Sequence, residues 1–441
     1  MSDQNPDSNE FSKLRNTYKY YINMYFSLYQ LKTEDEEEIN SIYQQIKTEL
    51  IESNKHVPRN ILRDILNILP YNNRGATAYV KLAKLISDEY QITEVKYTPI
   101  VSNYLFYKAY GIKLDLQNGF TDIRYENIEI LTENTIYRAI MNNDLERFIA
   151  FTERDDFDKD QKLKSSLYPA SFGEYSLIEL CCYHGAVDCF KFLRTKFNSE
   201  ITFRCLSLSF LGRNPDIMSE CLKYQTPTET CMEYAIISHN IDFVTFLKNE
   251  HNFEIDLYRC AQYNNLESFL VYFDQTNDIK NCFFYSASFD ISSLCEYFIS
   301  RGSDINETDK DGKTALHYAA RYNSKETAEF LLSHGINVDK KNYHGDTALY
   351  SAAYYNSKET AEVLIQHGAN VNEKNTNGDS VYYVASINDN KLICDLLLSN
   401  GAIVKRKPYT VITPSNQTVQ ASNKETVKPP PSHKKEKCYI C

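Results

Sequence analysis

The chain has 441 residues, 42% of them hydrophobic and 24% charged, with only 13 Gly and 12 Pro. This composition excludes a wholly disordered or collagen-like chain. Glycine and proline fall well under their usual shares of about 7% and 5%, which argues against a turn-rich all-β sandwich and for helices. The net charge of −11 is uneven: residues 405–441 hold eight Lys/Arg against two Glu, a net of +6, leaving −17 for the remainder. An acidic body lacks the basic face that phosphate neutralisation needs, so nucleic acid is not an expected partner.

Residues 1–12 are polar and expected to be disordered, without the apolar core of a secretory leader. No run of 18 apolar residues marks a membrane span. All 12 cysteines stand at or after Cys181. In a cytoplasmic chain, the expected location here, they pack as free, small hydrophobes. Residues 13–130 read as helical. Tyr18–Leu31 is aromatic-rich, and Thr33 with Glu36 has the pattern of a capping box. Pro58 suits a first helical position. Ile61, Leu62, Ile65, Leu66 and Leu69 then repeat at helical spacing up to Pro70, and Leu82, Leu85 and Ile86 mark another helix. These helices are expected to cap a larger array; a separate partner-recognition module is the alternative.

Across residues 131–304, Asn143, Gly185, Asn214, His239, Asn264 and Asp290 each precede an apolar helix, as in Val187, Phe190, Leu193 or Leu294, Tyr297, Phe298. Units of about 25 residues fit helix pairs with short connectors and no hairpin finger.

In residues 305–404 the text nearly copies itself. Gly302, Gly335, Gly368 and Gly401 are spaced by 33, as are Gly312, Gly345 and Gly378. Asn323–Glu329 recurs unchanged as Asn356–Glu362. Glycine at 312 tolerates the positive φ of a tight turn, and Gly335 suits a left-handed helix cap. Thr314 and Thr347 stand where helix caps belong, with Leu316 and Leu349 on the apolar stripe behind them. The 33-residue period with Gly312-Lys313-Thr314-Ala315-Leu316-His317 resembles the ankyrin repeat, whose hallmark is Thr-Pro-Leu-His. Residues 131–304 resemble the degenerate ankyrin-like domain of unknown function that precedes regular repeats in large protist protein families. The resemblance implies an all-α solenoid with short hairpin fingers in its last three units. His317 is expected to bridge backbone groups of neighbouring fingers; Tyr350 takes its place in the second unit.

No phosphate-binding loop, nucleophile elbow, kinase signature or His-Glu-x-x-His motif occurs in the sequence. Cys181 and Cys182 are adjacent on a helix, so their side chains diverge. No enzyme activity, cofactor or metal is therefore expected. By the resemblance, the concave groove is formed by Lys313, Arg321 and Tyr322, then Tyr343, His344, Asp346, Tyr354 and Tyr355, then Asn377, Asp379, Ile387 and Asn388. The copies differ most at these positions, which is the pattern of a binding surface. The competing reading is that the tyrosines only pack on their neighbours. The expected function is a non-catalytic scaffold or adaptor for one or more proteins, of open oligomeric state. Residues 405–441 read as a flexible basic tail. Cys438, fourth from the end and next to Lys434, Lys435 and Lys437, resembles a prenylation box and gives an alternative function, a peripheral membrane tether. A plain tail, or a redox or metal pair with Cys441, remains open.

Overall fold

The computed structural model describes residues 7–115, 128, 134–169 and 173–404. Six helices come first: α1 (Asp7–Thr17), α2 (Lys19–Gln30), α3 (Glu36–Gln45), α4 (Pro58–Ile68), α5 (Ala76–Glu89) and α6 (Ile100–Tyr110). Helix pairs then follow: α7 (Ile136–Asn142) with α8 (Leu145–Thr152), α9 (Leu177–His184) with α10 (Val187–Phe197), and α11 (Phe203–Gly212) with α12 (Pro215–Leu222). Next are α13 (Glu229–Ile237) with α14 (Ile241–His251), α15 (Leu257–Gln262) with α16 (Leu266–Thr276), and α17 (Ile279–Ser286) with α18 (Ser292–Ser300). The last three pairs are α19 (Ala315–Tyr322) with α20 (Lys325–Ser333), α21 (Ala348–Tyr355) with α22 (Lys358–Gln366), and α23 (Val381–Ile387) with α24 (Lys391–Ser399). First helices stack on first helices and second on second. Each unit buries its apolar stripe only against its neighbours, which makes the array a solenoid. Up to Ala402 the elements form one unit; beyond it only Ile403 and Val404 are described.

Nearly every first helix ends on a residue with positive φ: Asn143, Gly185, Arg213, His239, Asn264, Asp290, Asn323, Asn356 and Asp389. Asn, Asp and Gly tolerate this left-handed state best, and it turns the chain sharply into the second helix. The expected anchor at Asn214 is off by one. Arg213 takes the φ of 57°, while Asn214 caps α12 by accepting the Asp216 and Ile217 N–H groups through Oδ1. The turn side chains also tie units together. Asn323 Oδ1 accepts the Thr360 N–H at 3.0 Å, and Asp290 Oδ1 accepts that of Thr327 at 3.2 Å. Each thereby satisfies an orphan donor at the start of the next second helix.

The expectation that upstream units lack fingers fails once. Strands β1 (Lys162–Lys164) and β2 (Glu174–Ser176) form an antiparallel hairpin ahead of α9, with Leu163 opposite Tyr175. Both of these side chains are buried.

At α9 and α11 two backbones touch. A Cβ on Gly212 would collide with the Cys182 carbonyl oxygen and lie 2.8 Å from the Gly185 nitrogen. Gly→Ala in a helix ordinarily stabilises by about 1 kcal/mol. Here the clash with backbone reverses the sign. Gly212→Ala is expected to lower the urea midpoint by an amount worth about 1–3 kcal/mol; a raised midpoint would contradict this packing.

The six N-terminal helices do not cap the end of the stack as expected. Helices α2 and α4 lie along its edge of helix-to-helix turns, while α1 packs on the second helix α16. Tyr29 stacks on His239 with ring centroids 4.2 Å apart, and its carbonyl accepts from Arg213. The Tyr21 hydroxyl donates to Asn264 Oδ1 at 2.8 Å. Asn60 donates to the carbonyls of Tyr322 and Asn323, both at 3.1 Å. The cap of α3 also differs from the expected Thr33–Glu36 box: Asp35 accepts the Glu38 N–H, and Thr33 accepts that of Asp35. Nine cysteines from Cys181 to Cys295 are buried and unpaired, and burial raises the Cys181 and Cys260 thiols well above their ordinary range.

Candidate partner-binding surface

The fingers of the last three units are built by one repeated device. Asp309, Asn342 and Asn375 each accept two backbone N–H groups through Oδ1, closing a tight loop. Gly312, Gly345 and Gly378 follow at φ of 79°, 75° and 77°. Consecutive fingers hydrogen-bond at the same place: Tyr343 N–H to Asp311 O and Thr376 N–H to His344 O, both 3.0 Å. Gly335, Gly368 and Gly401 end the second helices at φ of 86°, 87° and 85°.

His317 lies between two fingers. Its Nδ1 accepts the Thr314 N–H at 3.1 Å, so Nε2 carries the proton and donates to Asp346 O at 3.0 Å. Burial pushes its pKa down to about 4, keeping the ring neutral. In the next unit the Tyr350 hydroxyl replaces it by accepting from Asn375 Nδ2 at 3.2 Å. Leu316 and Leu349 are fully buried, and Thr314 and Thr347 begin α19 and α21.

The twelve expected groove positions divide into two sets. The finger-tip residues Tyr343, His344 and Asn377 are exposed, with Lys313, Asp346 and Asp379 half-buried beside them. Burial raises the Asp346 carboxyl, while Asn375 donates to it at 3.1 Å. The second set lies near the ends of the first helices. Arg321, Tyr354 and Ile387 occupy one register, 33 residues apart. Arg321 is half-buried, whereas Tyr354 is 44% and Ile387 58% exposed, so this row opens toward the last unit. Tyr322, Tyr355 and Asn388, the adjacent row, meet the N-terminal region instead of open solvent. Asn60 holds the Tyr322 carbonyl, the Tyr97 ring lies 6.5 Å from that of Tyr355, and the Asn388 carbonyl accepts from Lys96.

The residues that close this row were missed in the sequence. They are Arg59 and Asn60 on α4, and Lys96 and Tyr97 before α6. Arg59 approaches Glu359 at 3.6 Å, and the Tyr97 hydroxyl donates to Tyr354 O at 2.7 Å. Their signal was weak but present: Asn60, Arg63, Asp64 and Asn67 form a polar stripe on α4 without the Lys/Glu pairs of a solvated face.

Among the described residues, no cluster of three or more His, Cys, Asp or Glu could hold a metal ion, and no helix is long and apolar enough to cross a membrane. Cys438 and the basic tail lie outside the described residues.

A helix-pair solenoid with hydrogen-bonded fingers and a 33-residue register defines a repeat protein of the ankyrin class. Sequence comparison agrees with the geometry. Residues 197–272 match a domain of unknown function, DUF3447, and overlapping matches to ankyrin repeats cover 257–342, 283–375 and 340–408. The chain thus carries that domain followed by three ankyrin repeats. No curated protein matches it at a significant level. Ankyrin repeats in general mediate protein–protein interaction and are typically non-catalytic.

Proposed function

We propose that the protein is a non-catalytic adaptor that binds a protein partner on the finger-tip face and the open row of first-helix ends. The observation that carries this reading is the set of exposed large side chains on the finger tips and the open row: Tyr343 at 72%, Ile387 at 58% and Tyr354 at 44% exposure. Large exposed aromatic residues grouped on one face suit binding hot spots, because they bury much area at low entropy cost. The N-terminal helices cover part of the turn edge, while the finger tips stay accessible. Pairing Tyr343→Ala with Tyr354→Ala removes two such anchors, each worth about 2 kcal/mol. Affinity purification with the full chain is expected to lose at least one partner in the double variant while helical content stays unchanged. An identical partner set would place the binding site elsewhere.

A membrane tether at Cys438 is a separate proposal that rests on sequence alone. Cys438→Ser is expected to move the protein from the membrane fraction to the soluble one; an unchanged distribution rejects it.

A further inference from the structure

A cavity of about 230 Å³ lies where α4 and α2 meet the turn edge of the repeats between Tyr258 and Tyr355. Packing between helical layers is ordinarily dry and apolar. This wall is polar. It carries the α4 stripe of Asn60, Arg63, Asp64 and Asn67 on one side and Arg321 on the other.

Arg321 is the unusual group. It donates to the Tyr258 hydroxyl at 2.9 Å and lies over the rings of Tyr258 and Tyr355, 5.0 and 4.7 Å from their centroids. Among the described residues no carboxylate pairs with it. A guanidinium has five N–H donors in a rigid fork that matches carboxylate and phosphate oxygens. One such donor is used here. Arg63, by contrast, is held by Asp64 at 3.2 Å.

Unsatisfied atoms surround the same space. His56 Nε2, Asp290 Oδ2, Ser288 Oγ and the Tyr322 hydroxyl are all buried without a hydrogen-bond partner, and all four residues line the cavity. Buried polar atoms almost always find a partner in protein, water or ligand. Four orphans around one space mark a place where partners come from outside the chain. The volume is under the roughly 300–1,000 Å³ of drug-sized sites, so it suits a small metabolite and excludes a dinucleotide.

We propose that this cavity binds a small hydroxylated organic anion, its acidic group on Arg321 and its hydroxyls on Asp290, His56 and Tyr322. The chemistry follows from the donors. Arg321 supplies unused N–H groups over an aromatic shelf. Asp290 Oδ2 and His56 Nε2 can accept from hydroxyls, and Tyr322 can donate. The site joins the N-terminal helices to the repeats, so an occupied cavity holds the two together and stabilises both.

The test uses the full chain with four probes: a pentose phosphate, tartrate, inorganic phosphate and the free pentose. Binding is read by titration calorimetry and by the rise in melting temperature. The pentose phosphate alone raising the melting temperature identifies a phosphorylated ligand, and tartrate alone a hydroxy acid. The free pentose should not bind. Arg321→Gln should weaken the active probe roughly ten- to hundredfold. Tyr322→Phe, which removes only the unpartnered hydroxyl assigned to the ligand, should also weaken binding and carries the test should Arg321→Gln fail to fold. The proposal is overturned by binding of neither organic anion, by inorganic phosphate binding as tightly as the pentose phosphate, or by binding that survives the substitutions in folded protein.

Discussion

Lowering the pH from 7 to 5 is expected to destabilise the protein by about 5 kcal/mol, a large part of a typical domain's 5–15 kcal/mol. The cause is four imidazoles held neutral, three of them buried and the fourth, His184, half-buried. Desolvation pushes His56 and His317 down to about 4, and His184 and His239 down to about 3. His317 Nδ1 must also keep its lone pair for the Thr314 N–H, whereas the bond that His239 Nε2 donates to Tyr263 O at 2.9 Å works against its desolvation, which outweighs it. A base whose folded pKa is depressed contributes stability that is complete above its unfolded value of about 6.5 and is lost as pH falls toward the folded value. At pH 5 each ring has lost about 2 kcal/mol, or about 8 kcal/mol for four.

Asp290 works in the opposite sense. Burial pushes its carboxyl up to about 7, so the folded chain holds this proton where the unfolded chain does not. Its contribution is present below the unfolded pKa and lost as pH rises through 7. Between pH 7 and 5 it returns up to about 3 kcal/mol, which sets the net loss near 5. Urea midpoints measured at pH 5, 7 and 8 check both signs. A profile flat between 7 and 5 would mean the imidazoles are not held neutral. Asp290→Asn should raise stability at pH 8 and leave it nearly unchanged at pH 5. Asparagine already occupies the equivalent turns at Asn323 and Asn356, so the substitution suits the backbone.

What the sequence made legible was local. The 33-residue period, the finger glycines and the turn anchors depend on residues close in the chain, where φ and capping chemistry restrict the choice. Even the miss at Asn214 was a shift of one place within a correct turn. The β1–β2 hairpin was hidden because each strand has three residues, too few to display alternation. The docking of the N-terminal helices was hidden for a different reason. Asn60 meets Tyr322 across 262 residues and Lys96 meets Asn388 across 292, and no periodicity encodes such a pairing. Tyr322, Tyr355 and Asn388 were therefore assigned to an open groove by the resemblance and their register. Their register is right, but chain from elsewhere covers them. The same covering creates the cavity, which belongs to neither segment by itself.

Lys96→Met is expected to loosen the last repeat by about 3–5 kcal/mol while sparing the rest. Lys96 is only 6% exposed, and its ammonium donates to Asn388 O at 2.9 Å, Asp389 O at 2.6 Å and Asn390 Oδ1 at 2.9 Å. Every ammonium proton is used, and two of the acceptors are carbonyls of the turn between α23 and α24. Methionine keeps much of the stem's packing, so the loss isolates the charge-assisted bonds. It leaves two turn carbonyls without this donor and takes Glu94, now 3.6 Å from the ammonium, out of its ion pair. In a solenoid each unit is stabilised by its neighbours, and a terminal unit has a neighbour on one side only. Lys96 supplies contact from the second direction. Hydrogen exchange should therefore speed up in α23 and α24 and stay unchanged in α19 and α20. Equal protection of α23 in both proteins would show that the last repeat is held by α21 and α22 alone. Uniform loss across all the repeats would show that the array unfolds as one cooperative block, without a separable end.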